Sequence, residues 1–99
     1  MSFVQIMQFE TTEIDEIRRL EDEWYAKTAG RRTLRRETVT RDRSNPDRYV
    51  VIAEFDSYEE AMRNSELPET TTIANAYESL CTGPVTFIDL DVIEVRTAD

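Results

Sequence analysis

The chain has 99 residues, of which 39% are apolar and 33% charged, and its formal net charge is −9. A chain of this length buries about two-thirds of its extended surface, which predicts one domain with one core over residues 1–99. The sequence contains no histidine, so histidine-dependent zinc sites, hydrolase triads and histidine-ligated haem are excluded, and no metal site is expected.

Three features bear on where the protein works. Cys81 is the one cysteine, which excludes an internal disulfide and is typical of a reducing compartment such as the cytoplasm. The longest uncharged apolar run, 49–53, is too short for a membrane span, and Met1-Ser2-Phe3 lacks the basic start of a signal peptide. The negative net charge disfavours nucleic acid and anionic lipid. We therefore expect a cytoplasmic protein with neither nucleic acid nor membrane as partner.

A strand followed by a helix is predicted at the start of the chain. Phe3–Phe9 is short and apolar, as expected of a strand. Thr11 and Thr12 are candidate N-caps, and acidic residues follow where the helix dipole favours them. Gly30 ends the helix. The apolar stripe that defines this helix is Ile14, Ile17, Leu20 and Trp24.

A long antiparallel hairpin is predicted next. Thr33–Arg41 contains short residues that tolerate a strand, and Arg48–Phe55 is rich in strand formers. Between them, residues 44–47 (Ser-Asn-Pro-Asp) supply the side chains and the proline that favour a turn.

Two helices and a final strand complete the predicted order. Ser57 and Glu60 form a capping box before a short helix from Tyr58 to about Asn64. Pro68 opens a third helix, with Ile73, Ala76 and Leu80 along its stripe, and Gly83-Pro84 stops it. An alternating segment, 85–95, forms the fourth strand. The order strand, helix, strand, strand, helix pair, strand predicts an α+β, ferredoxin-like split βαβ fold, with a four-stranded antiparallel sheet and helices on one face.

Alternation along the strands sorts their side chains into two sets, both rich in apolar groups. The plainly apolar set is expected beneath the helices. The mixed set would then form an open patch larger than monomers usually tolerate. We therefore predict a homodimer in which the two open sheet faces pack into an eight-stranded barrel. The apolar set is Val4, Ile6, Val50, Ile52, Ile88, Leu90 and Val92, and the mixed set is Phe3, Gln5, Met7, Phe9, Tyr49, Val51, Ala53, Phe55, Phe87 and Ile93.

Positive charge is concentrated in one segment. Seven of the twelve basic residues lie between Arg31 and Arg48, and the segment carries a net +4. One interpretation is an exposed hairpin whose arginines pair with acidic helices. The alternative is a rim that attracts an anionic small molecule or an acidic partner.

The layout resembles the dimeric α/β barrel superfamily, the group that contains antibiotic-biosynthesis-type monooxygenases. The resemblance covers essentially the whole chain and is most specific over Tyr49–Pro68, where a strand ending in Phe55 runs into Ser-Tyr-Glu-Glu-Ala-Met (57–62), Asn64-Ser65 and Pro68. The Gly83-Pro84 joint into the last strand also fits.

The resemblance implies oxidation of an aromatic or quinol-like substrate by O₂ without a cofactor. Related enzymes tend to use an asparagine on the first strand and a tryptophan on the third, where this chain has Gln5 and Gln8, and Tyr49. The haem-degrading members have a histidine near the position of Asn64 and Ser65, and this chain has none. The prediction is a cofactor-independent monooxygenase or isomerase for a small aromatic molecule. The alternative is a non-catalytic ligand-binding or protein-interaction module.

Candidate ligand-binding residues follow from the helical stripes. Trp24, Tyr77 and Met62 would wall an apolar cleft if the helices part from the sheet, although each is more commonly a core residue. Ser65, at the end of the second helix, would orient a ligand at the mouth of that cleft, or simply form a turn. Arg36 is a further candidate, from the basic segment.

Three residues are predicted to be catalytic: Asn64, Tyr49 and Glu54. Asn64 and Tyr49 stand near positions that matter in the related enzymes. Glu54 shares its strand face with Val50, so burial there would let its carboxylate act as a base, but pairing with an arginine such as Arg36 is the ordinary alternative.

RNA binding is a third class, since RNA-recognition domains share the order of strands and helices. Arg48-Tyr49-Val50-Val51 stands where their third-strand motif would be, but the glycine of that motif is absent.

Overall fold

A computed structural model of the protein describes residues 2–98, which form four strands and three helices. All strand pairs are antiparallel, in the order β2-β3-β1-β4, and this confirms the predicted α+β, ferredoxin-like fold. No helix in this range has the length and apolar character needed to cross a bilayer. The elements are β1 (Phe3–Glu10), α1 (Ile14–Lys27), β2 (Arg36–Arg41), β3 (Arg48–Phe55), α2 (Tyr58–Ser65), α3 (Pro68–Leu80) and β4 (Thr86–Asp91).

Two strands are shorter than predicted: one backbone hydrogen bond continues beyond each of them, from Arg35 to Glu54 and from Val92 to Ser2, but the regular pairing stops. β2 begins at Arg36 instead of Thr33, and the Thr33 N–H donates to Asn64 Oδ1 (3.1 Å) rather than to β3. β4 ends at Asp91 instead of Val95, since Asp91 lies opposite Phe3, the first residue of β1. The register of the sheet, not the apolar pattern, therefore sets these boundaries.

The predicted threonine cap of α1 is wrong. The helix begins after Glu13, whose side chain makes no capping hydrogen bond. The Thr11 side chain is buried; its hydroxyl accepts from the Glu13 N–H (2.9 Å) and donates to the Leu80 carbonyl (2.7 Å). Thr11 thus ties the entry of α1 to the end of α3, a role that requires a contact 69 residues away along the chain.

The assignment of the two sheet faces is also wrong: most of the mixed set lies on the side that the helices cover, and the plainly apolar set lies on the other side. Phe3, Phe9, Tyr49, Val51 and Phe55 are buried. On the edge strand β4 both faces are exposed: Ile88 and Leu90 are 44% exposed, and Phe87 of the mixed set is 56% exposed. We call the helix-covered side the inner face, with Phe3, Gln5, Met7, Phe9, Glu37, Val39, Arg41, Tyr49, Val51, Ala53, Phe55, Phe87, Asp89 and Asp91. We call the other side the outer face, with Val4, Ile6, Gln8, Arg36, Thr38, Thr40, Val50, Ile52, Glu54, Thr86, Ile88 and Leu90.

The core on the inner face consists of two separate clusters, one at each end of the central strands. In the first, the Phe9 ring stacks on Tyr49 (5.6 Å between centroids) and meets the edge of Tyr77 (5.1 Å), with Ile17 alongside. In the second, Phe3 and Phe55 pack against Ala61 of α2. Large rings thus hold the helices off the sheet at both ends.

Four arginines of the basic segment pair with carboxylates, but of these four partners one, Glu69, lies on a helix, so the first interpretation holds in part. Arg31 pairs with Glu69 of α3 and Arg35 with Asp56, at 2.7 and 2.6 Å. The other two pairs are Arg36 with Glu54 and Arg48 with Asp42. These pairs are largely exposed, so they orient the hairpin more than they stabilise it.

Ser57 caps the start of α2, as predicted. The Ser57 hydroxyl accepts from the Glu60 N–H at 3.1 Å. The reciprocal half of the capping box is not formed, because the Glu60 carboxylate pairs with Arg63 at 2.6 Å instead.

We expect Ser57→Ala to lower the free energy of unfolding by about 1 kcal/mol, because one amide at the start of α2 loses its acceptor. Urea denaturation at a fixed protein concentration measures the change. Ser79→Ala is the matched control, since Ser79 is exposed late in α3 and its hydroxyl bonds only to the Ala76 carbonyl. Equal effects of the two substitutions would contradict the assignment.

Candidate functional site

A cavity of about 520 Å³ lies between the inner face and the helices. It occupies the middle of the sheet, between the two aromatic clusters, where the strands carry smaller or flexible side chains such as Met7, Val51 and Ala53. A volume of this size is typical of small-molecule sites. The lining residues are Gln5, Met7, Glu21, Trp24, Leu34, Glu37, Val51, Ala53, Phe55, Asn64, Thr70, Ile73, Ala74, Tyr77, Glu78, Gly83, Pro84, Val85 and Phe87.

Asn64 is held at the cavity wall by hydrogen bonds on both its backbone and its side chain. Its Oδ1 accepts from the Thr33 N–H (3.1 Å), and its carbonyl accepts from the Thr70 hydroxyl (2.8 Å). The side chain is buried. With Oδ1 used by the backbone, the NH₂ group is the part of this amide available to donate to a ligand.

Trp24 connects the helices around the cavity. It is buried on α1, and its indole N–H donates to the Thr70 hydroxyl of α3 at 3.0 Å. Because Thr70 in turn donates to Asn64, a chain of hydrogen bonds joins α1, α3 and the end of α2. The indole ring is thereby fixed as an apolar wall, and its one polar atom is satisfied within the protein.

Tyr77 and Glu21 form a hydrogen-bonded pair in the cavity wall. The Tyr77 hydroxyl donates to Glu21 Oε1 at 2.7 Å. Burial raises the pKa of Glu21, and the hydrogen bond from Tyr77 opposes that shift. Burial together with the neighbouring Glu21 carboxylate raises the pKa of Tyr77, so the phenol keeps its proton at neutral pH.

Glu37 is the second carboxyl of the inner face in this cavity. It lies on β2 opposite Ala53, whose small side chain leaves room beside it. Burial, and secondarily the Glu21 carboxylate, raises the pKa of Glu37 to about 7. A carboxyl that titrates near neutral pH can give or take a proton under physiological conditions.

Three of the eight predicted site residues line the cavity together: Asn64, Trp24 and Tyr77. Tyr49 lies at the same face but is buried in the first aromatic cluster, stacked on Phe9. Met62 packs in the second cluster against the Phe3–Phe55–Ala61 group. Neither of these two is among the lining residues. The buried position of Tyr49 also places it away from any open sheet surface on which a base would stack.

The other three predicted residues lie away from the cavity. Glu54 and Arg36 are on the outer face, where they form an ion pair at 3.2 Å, the ordinary alternative considered for Glu54. Ser65 is exposed at the end of α2, where its hydroxyl donates to the Met62 carbonyl. These contacts give the three residues structural partners, and a role in chemistry stays a prediction for them.

Glu21 and Glu37 were not predicted from the sequence, although each left a signal. Ile14, Ile17, Glu21 and Trp24 follow at offsets of three, four and three, which puts Glu21 on the buried stripe of α1. Glu37 is an acid within an arginine-rich strand, on the same face as Val39. Among residues 2–98, no group of three His, Cys, Asp or Glu side chains lies close enough together to hold a metal ion.

The sequence matches no protein-family model and no curated protein. Solved structures are nevertheless similar over nearly their whole length. SnoaB, a cofactor-independent oxygenase from Streptomyces nogalater, gives a TM-score of 0.78 at 19% identity, with 95% of each chain covered. An antibiotic biosynthesis monooxygenase gives 0.74 at 19% identity, covering 95% of this chain and 100% of that one. The chain has the antibiotic biosynthesis monooxygenase fold.

A third similar structure, Rv0793 from Mycobacterium tuberculosis, gives a TM-score of 0.79 at 15% identity, covering 98% of this chain and 100% of that one. The resemblance inferred from the sequence is confirmed at the level of this fold. Since identities this low establish the fold alone, the chemistry has to be argued from the cavity.

The raised pKa of Glu37 has a consequence for stability. Its pKa is about 7 in the folded protein against an ordinary 4.5, so the folded state binds this proton more tightly than the unfolded state. Its contribution to stability is therefore fully present below pH 4.5 and is lost as the pH rises to about 7. Glu21 acts in the same direction, because its pKa is also raised.

We expect Glu37→Gln to be more stable than the unmodified protein at pH 8, by about 1–2 kcal/mol after allowance for solvent screening, and to gain little at pH 5. Denaturant titrations at the two pH values and one protein concentration measure this. Glu59→Gln, an exposed change on α2, should show no such difference. A Glu37→Gln effect that is the same at both pH values would contradict the assignment.

Proposed function

We propose that the protein binds a small aromatic or quinol-like molecule in the cavity and acts on it as a cofactor-independent monooxygenase or isomerase. The observation that carries the proposal is the cavity itself: an apolar space with ring walls from Trp24 and Tyr77 and a fixed amide from Asn64. Apolar pockets with a few convergent polar groups are the usual form of small-molecule sites. SnoaB, which has this fold, is a cofactor-independent oxygenase.

In this proposal, the rings, the amide and the carboxyls of the cavity have separate roles. The Trp24 and Tyr77 rings contact the flat faces or edges of the ligand. The Asn64 NH₂ donates to a ligand oxygen and so fixes the orientation of the ring. Removal of a hydroxyl proton from a quinol leaves an electron-rich anion, which can pass an electron to O₂, and the cavity contains carboxyls with raised pKa values for that proton.

We expect Asn64→Ala to reduce O₂ consumption with a naphthoquinol probe at least tenfold, because the ligand loses its orienting donor. Since Ala also leaves the Thr33 N–H without its acceptor, Asn64→Asp is the companion variant, as it keeps an oxygen for Thr33 but loses the NH₂ donor. Asn75→Ala, at an exposed asparagine of α3, is the matched control.

Binding is measured separately through quenching of Trp24, the one tryptophan of the chain. Turnover lost in both Asn64 variants and kept in the Asn75 control would support the enzyme. Saturable quenching without O₂ consumption by the unmodified protein would support the alternative, a non-catalytic ligand-binding module. Unchanged turnover in both Asn64 variants would contradict the role of Asn64.

We also propose that the protein is a homodimer that buries the outer face of the sheet, and that it works in the cytoplasm. The support for the dimer is the apolar character of that face: Ile6 lies at its centre, between Ile52 of β3 and Ile88 of β4. The helices cover only the inner face, so this surface is left to a partner. Contiguous apolar surface of this kind is typical of an interface. A second copy of the chain offers the same apolar face.

We expect Ile88→Lys to convert the dimer to a monomer at micromolar concentration, because a charge would be buried between the sheets. Ile88 is 44% exposed within one chain, so the substitution leaves the fold of that chain intact. Sedimentation velocity measures the mass, with Thr71→Lys on the exposed side of α3 as the charge-matched control. A folded 11.6 kDa species for the unmodified protein would overturn the dimer.

A further inference from the structure

The charges around the cavity are all of one sign. Three glutamates line it, Glu21, Glu37 and Glu78, and none of the lining residues is a lysine or an arginine. The remaining polar lining groups include the neutral side chains of Gln5 and Asn64. A ligand inside this space meets negative or neutral groups on the sheet and on the helices, and the charges of the partly buried Glu21 and Glu37 are less screened than that of Glu78, which is exposed.

The carboxyl groups of Glu21 and Glu37 differ in their hydrogen-bond partners. Glu21 accepts a hydrogen bond from the Tyr77 hydroxyl at 2.7 Å. Within residues 2–98, Glu37 makes neither a hydrogen bond nor an ion pair with another side chain or backbone group. Its two oxygens are therefore free to accept from a donor in the cavity. Half-buried polar groups in a cavity wall normally find such a partner.

The arginines near Glu37 in the sequence have other partners: Arg35 pairs with Asp56, and Arg41 lies over the Tyr49 ring, 5.6 Å from its centroid. Arg36 points to the outer face, where it pairs with Glu54. Arg32 lies over the Tyr25 ring, 4.8 Å from its centroid, and donates to the Tyr25 carbonyl. Among the described residues, none of these four guanidiniums forms an ion pair with Glu37.

The titratable groups coupled to Glu37 belong to the two helices packed on the sheet: besides burial, the Glu21 carboxylate raises the pKa of Glu37, and the Glu37 carboxylate raises the pKa values of Tyr25 and Tyr77. Glu21 and Tyr25 come from α1, and Tyr77 comes from α3. Across the sheet, the neighbour on β3 is Ala53, which does not titrate. Burial raises the pKa of Tyr25 to about 12, so both tyrosines stay neutral, and the positive charge of Arg32 acts on Tyr25 from outside the cavity lining.

We propose that the cavity takes an uncharged or cationic ring compound whose hydroxyl or amine donates a hydrogen bond to Glu37, and that it rejects ring compounds bearing a carboxylate. The proposal rests on the ligand site proposed above and specifies its ligand class. It replaces the expectation that arginines would draw in an anionic ligand with the opposite charge preference. The Asn64 amide then orients the ligand, and Glu37 selects it by charge.

Three probes with one ring system test the preference: 2-naphthol, 2-naphthylmethylamine and 2-naphthoate, which are neutral, cationic and anionic at pH 7.5. Isothermal titration calorimetry gives the three affinities for the unmodified protein. We expect 2-naphthol and the amine to bind at least tenfold more tightly than 2-naphthoate.

The Glu37→Gln variant tests whether Glu37 causes the charge preference for the ligand. We expect it to weaken binding of the amine at least fivefold and to strengthen binding of 2-naphthoate, so that the ratio of affinities falls below about threefold. Glu59→Gln changes the net charge equally at an exposed position of α2 and should leave the ratio unchanged. In the unmodified protein, 2-naphthoate should also bind more tightly at pH 6 than at pH 8, and Glu37→Gln should reduce that difference.

Each binding result tests a different part of the proposal. Equal or tighter binding of 2-naphthoate by the unmodified protein would overturn the charge preference. An unchanged ratio in Glu37→Gln would overturn the role of Glu37. If none of the three probes binds, the ligand site itself fails and this inference fails with it. Binding with the expected preference but without O₂ consumption would leave this inference intact and refute only the monooxygenase activity.

Discussion

The site depends on the distribution of side-chain size along the two central strands. On the inner face, β1 and β3 carry aromatic rings at their ends, Phe3 with Phe55 and Phe9 with Tyr49. Smaller or flexible side chains, such as Val51 and Ala53, occupy the middle. The rings support α2 at one end and α3 at the other, so the helices cannot settle onto the middle of the sheet. The space beneath them is the cavity, and it exists because rigid rings, not aliphatic chains, set the separation.

This arrangement places carboxyl groups where burial changes their chemistry. Glu21 and Glu37 reach the same cavity from opposite layers, one from α1 and one from β2. Burial makes the charged form of each carboxyl less favourable. The pKa values of Glu21 and Glu37 therefore rise. Proteins usually keep such groups out of the core unless a ligand or a reaction uses them. Tyr77 offsets the cost for Glu21, and Glu37 has no equivalent partner among the described residues.

The two faces of the sheet differ in chemical character. The inner face has rings, amides and carboxyls and surrounds a space, whereas the outer face is aliphatic around Ile6 and Ile52. Because the helices cover one side only, the apolar outer face is suited to a flat sheet-on-sheet contact. The proposed ligand site and the proposed dimer contact therefore use separate surfaces of one four-stranded sheet.

Local sequence signals determined the elements: β3 was predicted to its ends, α2 to within a residue and the Ser57 cap correctly, since strand propensity and capping act over a few residues. The helical stripes also supplied Trp24 and Tyr77 as candidate site residues, and the family resemblance supplied Asn64. Only the tertiary structure decided which face of the sheet the helices cover, because alternation gives two sets without saying which is inside. It likewise decided that Glu21 and Glu37 meet in one cavity while Glu54 and Arg36 pair outside it. These contacts join residues that are distant in the sequence. They depend on the register of the strands and on the positions of the helices, which no local sequence pattern specifies.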